Sequence, residues 1–286
     1  ALSVTDAVPI LSEEGCTKLA YSFREACLNG MRDMMVEEEV DDANLLCNFE
    51  FSLAFGGKIL LHNTTLKLIR GRHYGIMGKN GAGKTTLLTN IGSGNIEGLP
   101  VVLKTVYVQH DEASEGSDTP LLDDVVAVPH VASAGVTREE TEAALKAINF
   151  TDAMLTAPRS SLSGGWKMKA LIIQAMLSRA DVLLLDEPTN HLDAASVQWL
   201  IKYLRSQTQV TCMIVSHDTG FLDGTISDVI HYESKKLVYY HGNLTDFVKV
   251  KPEAKYYYQL DSSLVFTFPT PERLDGVNST TRAILK

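Results

Sequence analysis

The sequence predicts an α/β protein with a mostly parallel sheet at its core, an antiparallel β subdomain ahead of it and a helical subdomain inserted into it. Three observations carry that expectation. Short apolar runs at residues 74–77, 105–108, 182–185, 210–215 and 229–232 are separated by helix-length segments, the rhythm of parallel strands whose faces are covered by helices. Two strand-like stretches, 47–55 and 58–68, flank Gly56 and Gly57, and a Gly-Gly pair in that setting signals an antiparallel hairpin. Between about residues 111 and 180 the strand signal vanishes and helical patterns replace it. One of these opens at Thr137 with Glu140 three residues on, the spacing of a capping box.

Taken in chain order, residues 1–44 read as a helical flank and an acidic linker. Cys16, Leu19, Phe23, Cys27, Met31 and Met34 recur at intervals of three and four, which puts them on one face of a helix over 13–38. Glu37, Glu38, Glu39, Asp41 and Asp42 follow as a solvated charge run, and the boundary falls near Asn44. The main domain spans 45–250, with its helical subdomain at about 111–180. Residues 243–250 and 251–261 are helix-like, and a proline-bearing tail from 266 completes a connector over 251–286.

Composition limits the function classes. The 286 residues are 45% hydrophobic, as in an ordinary folded domain, and no apolar run approaches the ~20 residues of a membrane-spanning helix. Residues 1–14 lack the basic start and apolar centre of a secretory signal, so cytosol is the expected compartment. Cys16, Cys27, Cys47 and Cys212 show no close pair, which suits reduced thiols rather than zinc. A net charge of −9 argues against a nucleic-acid clamp. Lys67, Arg70 and Arg72, or Lys249, Lys251 and Lys255, could touch RNA locally, but ordinary solvated charge is the favoured reading.

The chemistry begins at residues 78–85, Gly-Lys-Asn-Gly-Ala-Gly-Lys-Thr, which fit the phosphate-binding pattern G-x-x-x-x-G-K-[ST] between a strand and a helix. Gly78, Asn80, Gly81, Ala82 and Gly83 let backbone amides curl toward a phosphate, with Thr86 opening the helix behind them. Lys84 would bridge the β- and γ-phosphate oxygens of ATP, and the Thr85 hydroxyl would ligate Mg²⁺. The buried-type strand 182–185 runs into Asp186 and Glu187. Asp186 suits the Mg²⁺ shell, and Glu187 can polarise a water for attack on the γ-phosphate. Leu162-Ser163-Gly164-Gly165 opens another helix and forms a second anion cradle.

In order and rough spacing, residues 78–85, 162–166, 182–187 and Ser216-His217 resemble the P-loop nucleotide-binding domain of the ABC ATPase superfamily, over about 45–249. That resemblance implies ATP and Mg²⁺ as cofactors. It makes Gln109 a sensor of Mg²⁺ and attacking water, His217 a γ-phosphate contact, and Phe55 the ring that stacks on adenine, with Phe49 and Phe51 as competitors. It also assigns Ser163, Gly164, Gly165 and, in the loop 188–193, Asp193 to a partner's nucleotide rather than their own. One chain would then supply a seat and a lid for different sites, completed by a second ABC domain or a second copy.

Residues 190–193, Asn-His-Leu-Asp, resemble soluble ABC proteins of translation. Trp166 departs from the Gln that most members carry there. Residues 162–169 and 47–56 resemble the first of two ABC domains in the fungal-type elongation factor 3 family, with 13–36 like the end of its preceding helical region and 266–277 like its connector. That resemblance implies ATP-driven work on the ribosome, with release of deacylated tRNA, and no membrane partner. An ABC transporter subunit and a domain that holds ATP without hydrolysing it are the rival readings.

Overall fold

The computed structural model describes residues 44–109, 118–190 and 192–257. The helix expected over 13–38, the acidic run after it and the tail from 266 lie outside the described residues, as do residues 110–117 and 191.

The expected hairpin forms from β1 (Leu45–Phe55) and β2 (Lys58–Ile69), turning at Gly56 and Gly57, which both have positive φ. A six-stranded sheet follows, in the order β4-β5-β6-β3-β7-β8. Its strands are β3 (His73–Met77), β4 (Thr105–Gln109), β5 (Val182–Asp186), β6 (Thr211–Val215), β7 (Asp228–Glu233) and β8 (Lys236–His241). The first five in that list are parallel, and β8 pairs antiparallel with β7.

β8 has no counterpart among the expected strands. Glu233 pairs with Lys236, so Ser234 and Lys235 form a two-residue turn, with φ of 50° and 64°. This is the left-handed hairpin turn that Asn-Gly usually announces, made here without glycine.

The core strands are buried on both faces, which is why they read as continuous apolar runs. Alternate residues serve different cores. Leu183, Leu185, Cys212, Ile214 and Met77 face a layer built from α6 (Gly164–Leu177), α7 (Ala194–Ser206), α8 (Thr219–Thr225) and α9 (Leu244–Val250). Val182, Leu184, Met213, Val215 and Ile76 face α1 (Lys84–Gly92) and the β1–β2 hairpin. The hairpin is tied to the sheet where Leu237 N–H donates to Thr64 Oγ1 at 2.8 Å and Lys67 N–H to Tyr239 Oη at 2.9 Å.

The helical insertion contains α2 (Leu121–Ala127), α3 (Pro129–Ser133), α4 (Arg138–Ala147) and α5 (Asp152–Thr156), packed against α6 around a separate apolar core. α4 opens on the capping box expected at Thr137 and Glu140. After α9 the helix expected at 251–261 is, over its described part, a 3-10 helix at Pro252–Tyr257. Pro252 has no N–H with which to extend the α9 ladder.

Among the described residues no helix is long and apolar enough to cross a membrane. Cys47 and Cys212 are buried free thiols, which burial pushes up to about 11 and about 12. Four of the basic residues considered as RNA contacts are ion-paired: Arg70 with Asp181, Arg72 with Asp228, Lys249 with Asp246 and Lys251 with Glu233. Charge already engaged in this way is a poor phosphate trap.

Candidate functional site

β3, β5 and β6 are neighbours, and their C-terminal ends bring three loops together. The loop after β3 ends on Gly83, which stands at the N-cap of α1 with φ 99° and offers no side chain to the first turn. A Cβ there would lie 2.6 Å from Leu60 Cδ1, so another residue would be strained and would have to displace that side chain. The first α1 amides thus have no side-chain cap and suit an anion. Lys84 Nζ donates to the carbonyls of Gly78 at 2.9 Å and Lys79 at 3.3 Å, folding the loop around its own ammonium. Burial lowers the Lys84 pKa, and the carboxylates of Glu187 and Asp186 oppose that shift.

Asp186 closes β5 and is buried. Its Oδ2 accepts from Tyr107 Oη at 3.0 Å, while its Oδ1 is buried without a hydrogen-bond partner. Glu187, one residue on, takes a left-handed φ of 50° while its N–H continues the ladder to Val215 O at 2.8 Å. A non-glycine residue held there carries about 1–2 kcal/mol of strain, and the bend turns its carboxylate toward the β6 loop. There Oε2 accepts from the His217 N–H at 3.1 Å, and His217 Nε2 lies 3.4 Å from Oε1. Burial raises the Glu187 pKa, with the His217 charge the main opposing influence.

These groups line one open cleft of about 530 Å³. Asn80, Gly81, Gly83, Lys84, Thr85 and Thr86 contribute from the β3 loop and α1, Asp186, Glu187 and His217 from the β5 and β6 loops, and Phe55 from the hairpin. Phe55 is 67% exposed, whereas Phe51 is buried at 5% and Phe49 packs beside it in the hairpin core. Of the three rings, Phe55 is the one on the cleft.

Gln109, Gly78 and Ala82 do not line the cleft. The Gln109 amide is turned to Tyr107, donating to Oη at 2.6 Å. Ser163, Gly164, Gly165 and Asp193 are also away from it. Ser163 holds the N-cap position of α6 but makes no side-chain cap bond. A Cβ on Gly165 would lie 2.4 Å from Ser196 Oγ, so the start of α6 abuts the start of α7. Asp193 caps α7, accepting from Ser196 N–H at 2.7 Å, and this bond lowers its pKa. The Trp166 ring packs edge-on against Phe150, with centroids 4.8 Å apart.

Residues 61–190 match the family described as ABC transporter. Over these residues the chain is similar to that family. It is 49% identical to mRNA export factor elf1 of Schizosaccharomyces pombe over 91% of this chain and 25% of that protein. It is 44% identical to elongation factor 3 of Pneumocystis carinii over 97% of this chain and 27% of that protein. The chain therefore spans about a quarter of the length of these curated relatives. Its fold is that of cbiO1 from Clostridium perfringens, described as part of the ABC transporter complex cbiONQ, with TM-score 0.59 over 74% of this chain and 93% of that one at 20% identity.

Two tyrosines brace the site without standing out in the sequence. Tyr107 joins Gln109 to Asp186, and Tyr232 on β7 donates from Oη to Gly83 O at 3.3 Å, bracing the phosphate loop. Both sit inside apolar strand runs and read as core. The i, i+2 spacing of Tyr107 and Gln109 on one face of β4 was the available signal.

A divalent cation fits the donor set. Asp186 presents a buried oxygen without a partner, and the Thr85 hydroxyl is on the same cleft. Among the described residues no group of three or more His, Cys, Asp or Glu side chains could hold a metal ion. The nucleotide's own phosphates would have to complete the coordination shell, as suits a hard ion that binds with its substrate.

Proposed function

We propose that this chain binds and hydrolyses ATP with Mg²⁺, as one ABC domain of a protein that does conformational work on the ribosome in translation elongation and releases deacylated tRNA. The observation that carries the ATPase reading is the convergence of Lys84, Thr85, Asp186, Glu187 and His217 on one cleft while Ser163, Gly164 and Gly165 stand apart from it. The translation reading is supported by 44% identity to elongation factor 3 over nearly the whole chain.

In the proposed reaction the phosphate loop and Lys84 hold the β- and γ-phosphates, and Phe55 stacks on adenine. Asp186 and Thr85 would hold Mg²⁺, which when bound would neutralise phosphate charge that builds in the transition state. Glu187 accepts a hydrogen bond from water and takes its proton as the oxygen bonds to the γ-phosphorus. The bond from that phosphorus to the β–γ bridging oxygen breaks, leaving ADP and inorganic phosphate. His217 now contacts both Glu187 oxygens, and with a side chain 59% exposed it has room to turn toward phosphate. The raised pKa of Glu187 suits a proton acceptor.

Ser163, Gly164, Gly165 and Asp193 cover nucleotide on a partner domain, so this chain alone turns over slowly. The domain limits that go with this proposal are a flank at 1–44, the ATPase domain at 45–250 and a connector at 251–286. The place of action is the cytoplasm.

A second reading has equal sequence support: the 49% identity to mRNA export factor elf1 favours export of mRNA as the work performed. The experiment is copurification of the full protein with ribosomes and with polyadenylated RNA, each with ATP and with a nonhydrolysable analogue. Nucleotide-dependent ribosome association supports elongation. Retention on polyadenylated RNA after ribosomes are removed supports export instead.

A further inference from the structure

Tyr107 is not on the cleft, yet its hydroxyl touches three elements that build the site. It donates to Asp186 Oδ2 at 3.0 Å, accepts from Gln109 Nε2 at 2.6 Å and receives Thr89 Oγ1 of α1 at 3.4 Å. A phenol has one hydrogen to give and two lone pairs to receive with. The amide nitrogen of Gln109 can only donate, so the single hydrogen is committed to Asp186. Every bonding capacity of the hydroxyl is used, and its direction is fixed.

The ring is held as firmly as the hydroxyl. α1 lies so close that a Cβ on Gly92 would come within 2.9 Å of Tyr107 Cβ. β4 and β5 pair in register, with Tyr107 opposite Leu184 and Gln109 opposite Asp186. Asp186 is thus pinned through one oxygen while the other, buried and without a partner, stays available.

We infer that Tyr107 is a positioning residue for the metal site, orienting the Asp186 carboxylate toward the cation and holding Gln109 beside it. The inference rests on the ATPase reading. Outer partners that orient a ligating carboxylate are worth about 10–100-fold in metal affinity. Tyr107 would therefore act on the metal-dependent part of nucleotide binding and leave the metal-free part alone, a division that a merely structural tyrosine would not produce.

The test uses a fluorescent ATP analogue titrated onto the chain in EDTA and across a range of Mg²⁺. Tyr107→Phe keeps the ring against Gly92 and removes only the hydroxyl. It is expected to raise the Mg²⁺ midpoint by about 10-fold or more, with binding in EDTA unchanged. An unchanged midpoint overturns the inference, and so does an equal loss with and without Mg²⁺. If the wild-type chain binds no analogue, the ATPase reading fails and the inference falls with it. Should Tyr107→Phe not fold, Thr89→Val removes one of the three bonds that fix the hydroxyl. It is expected to shift the midpoint in the same direction by about threefold, and no shift overturns the inference.

Discussion

The Lys169 ammonium lies 4.2 Å from the centroid of the Trp166 ring. It also lies over Trp199 on α7, at 5.0 Å, which in turn stacks on Tyr203. Trp166, where most ABC domains carry Gln, therefore joins the helical insertion through Phe150 to the helix that Asp193 caps. The side chain spends its surface on packing within its own domain.

Trp166→Gln should cost about 2 kcal/mol, summing an aromatic pair and a cation–π contact with some lost apolar burial. Binding of ATP analogue to the chain's own phosphate loop should not change, because Trp166 is absent from the cleft wall. Urea unfolding and nucleotide titration of the same variant check both halves. A weakened affinity without loss of stability would contradict the structure.

Glu187→Gln should abolish turnover, keep nucleotide binding and raise the melting temperature at neutral pH. The sign follows from the raised pKa, caused first by burial. A carboxyl whose folded pKa is raised contributes fully below its ordinary value of 4.5 and loses that contribution as pH rises through the folded value. At neutral pH the ionised group opposes folding, and the amide relieves it. The gain should shrink as pH falls toward 4.5; a variant that melts lower than wild type at neutral pH would reverse the assignment.

Phe55 and Phe51 should separate function from stability on one strand. Phe55→Ala removes an exposed ring from the cleft rim, so melting should be unaffected while ATP affinity falls about 3–10-fold, the worth of one aromatic stack. Phe51→Ala empties a buried position and should cost about 3–5 kcal/mol. Paired melting and binding curves distinguish them.

What could be read from residues alone was whatever repeats a local rule. The buried strands announced themselves by apolar runs, and α4 by Thr137 and Glu140. β8 escaped because Ser234 and Lys235 turn the chain with no glycine to mark the place. Tyr107 escaped because a tyrosine in a strand is ordinary, and only the pairing of β4 with β5 sets it against Asp186. Asp193, expected to work across an interface, has its carboxylate occupied as a helix cap, which depends on where α7 begins. The direction of the Gln109 side chain is a tertiary matter that no spacing encodes.

The separation of Ser163 from the cleft leads to a test by mixing. If seat and lid belong to different sites, a chain carrying Glu187→Gln retains a working lid, and one carrying Ser163→Arg retains a working seat. Ser163 is exposed and makes no cap bond, so arginine there should fold. Each variant alone should be inactive. In a head-to-tail pair the mixed species has one complete site, made from the Ser163→Arg seat and the Glu187→Gln lid. With random pairing, half of the pairs are mixed and one of their two sites works, so an equimolar mixture should recover about a quarter of the wild-type phosphate release at concentrations where copies associate. The wild-type rate per chain should itself rise with concentration. No recovery on mixing, or a wild-type rate independent of concentration, would mean that seat and lid serve one chain after all, and activity of Ser163→Arg alone would mean that Ser163 is no part of a lid.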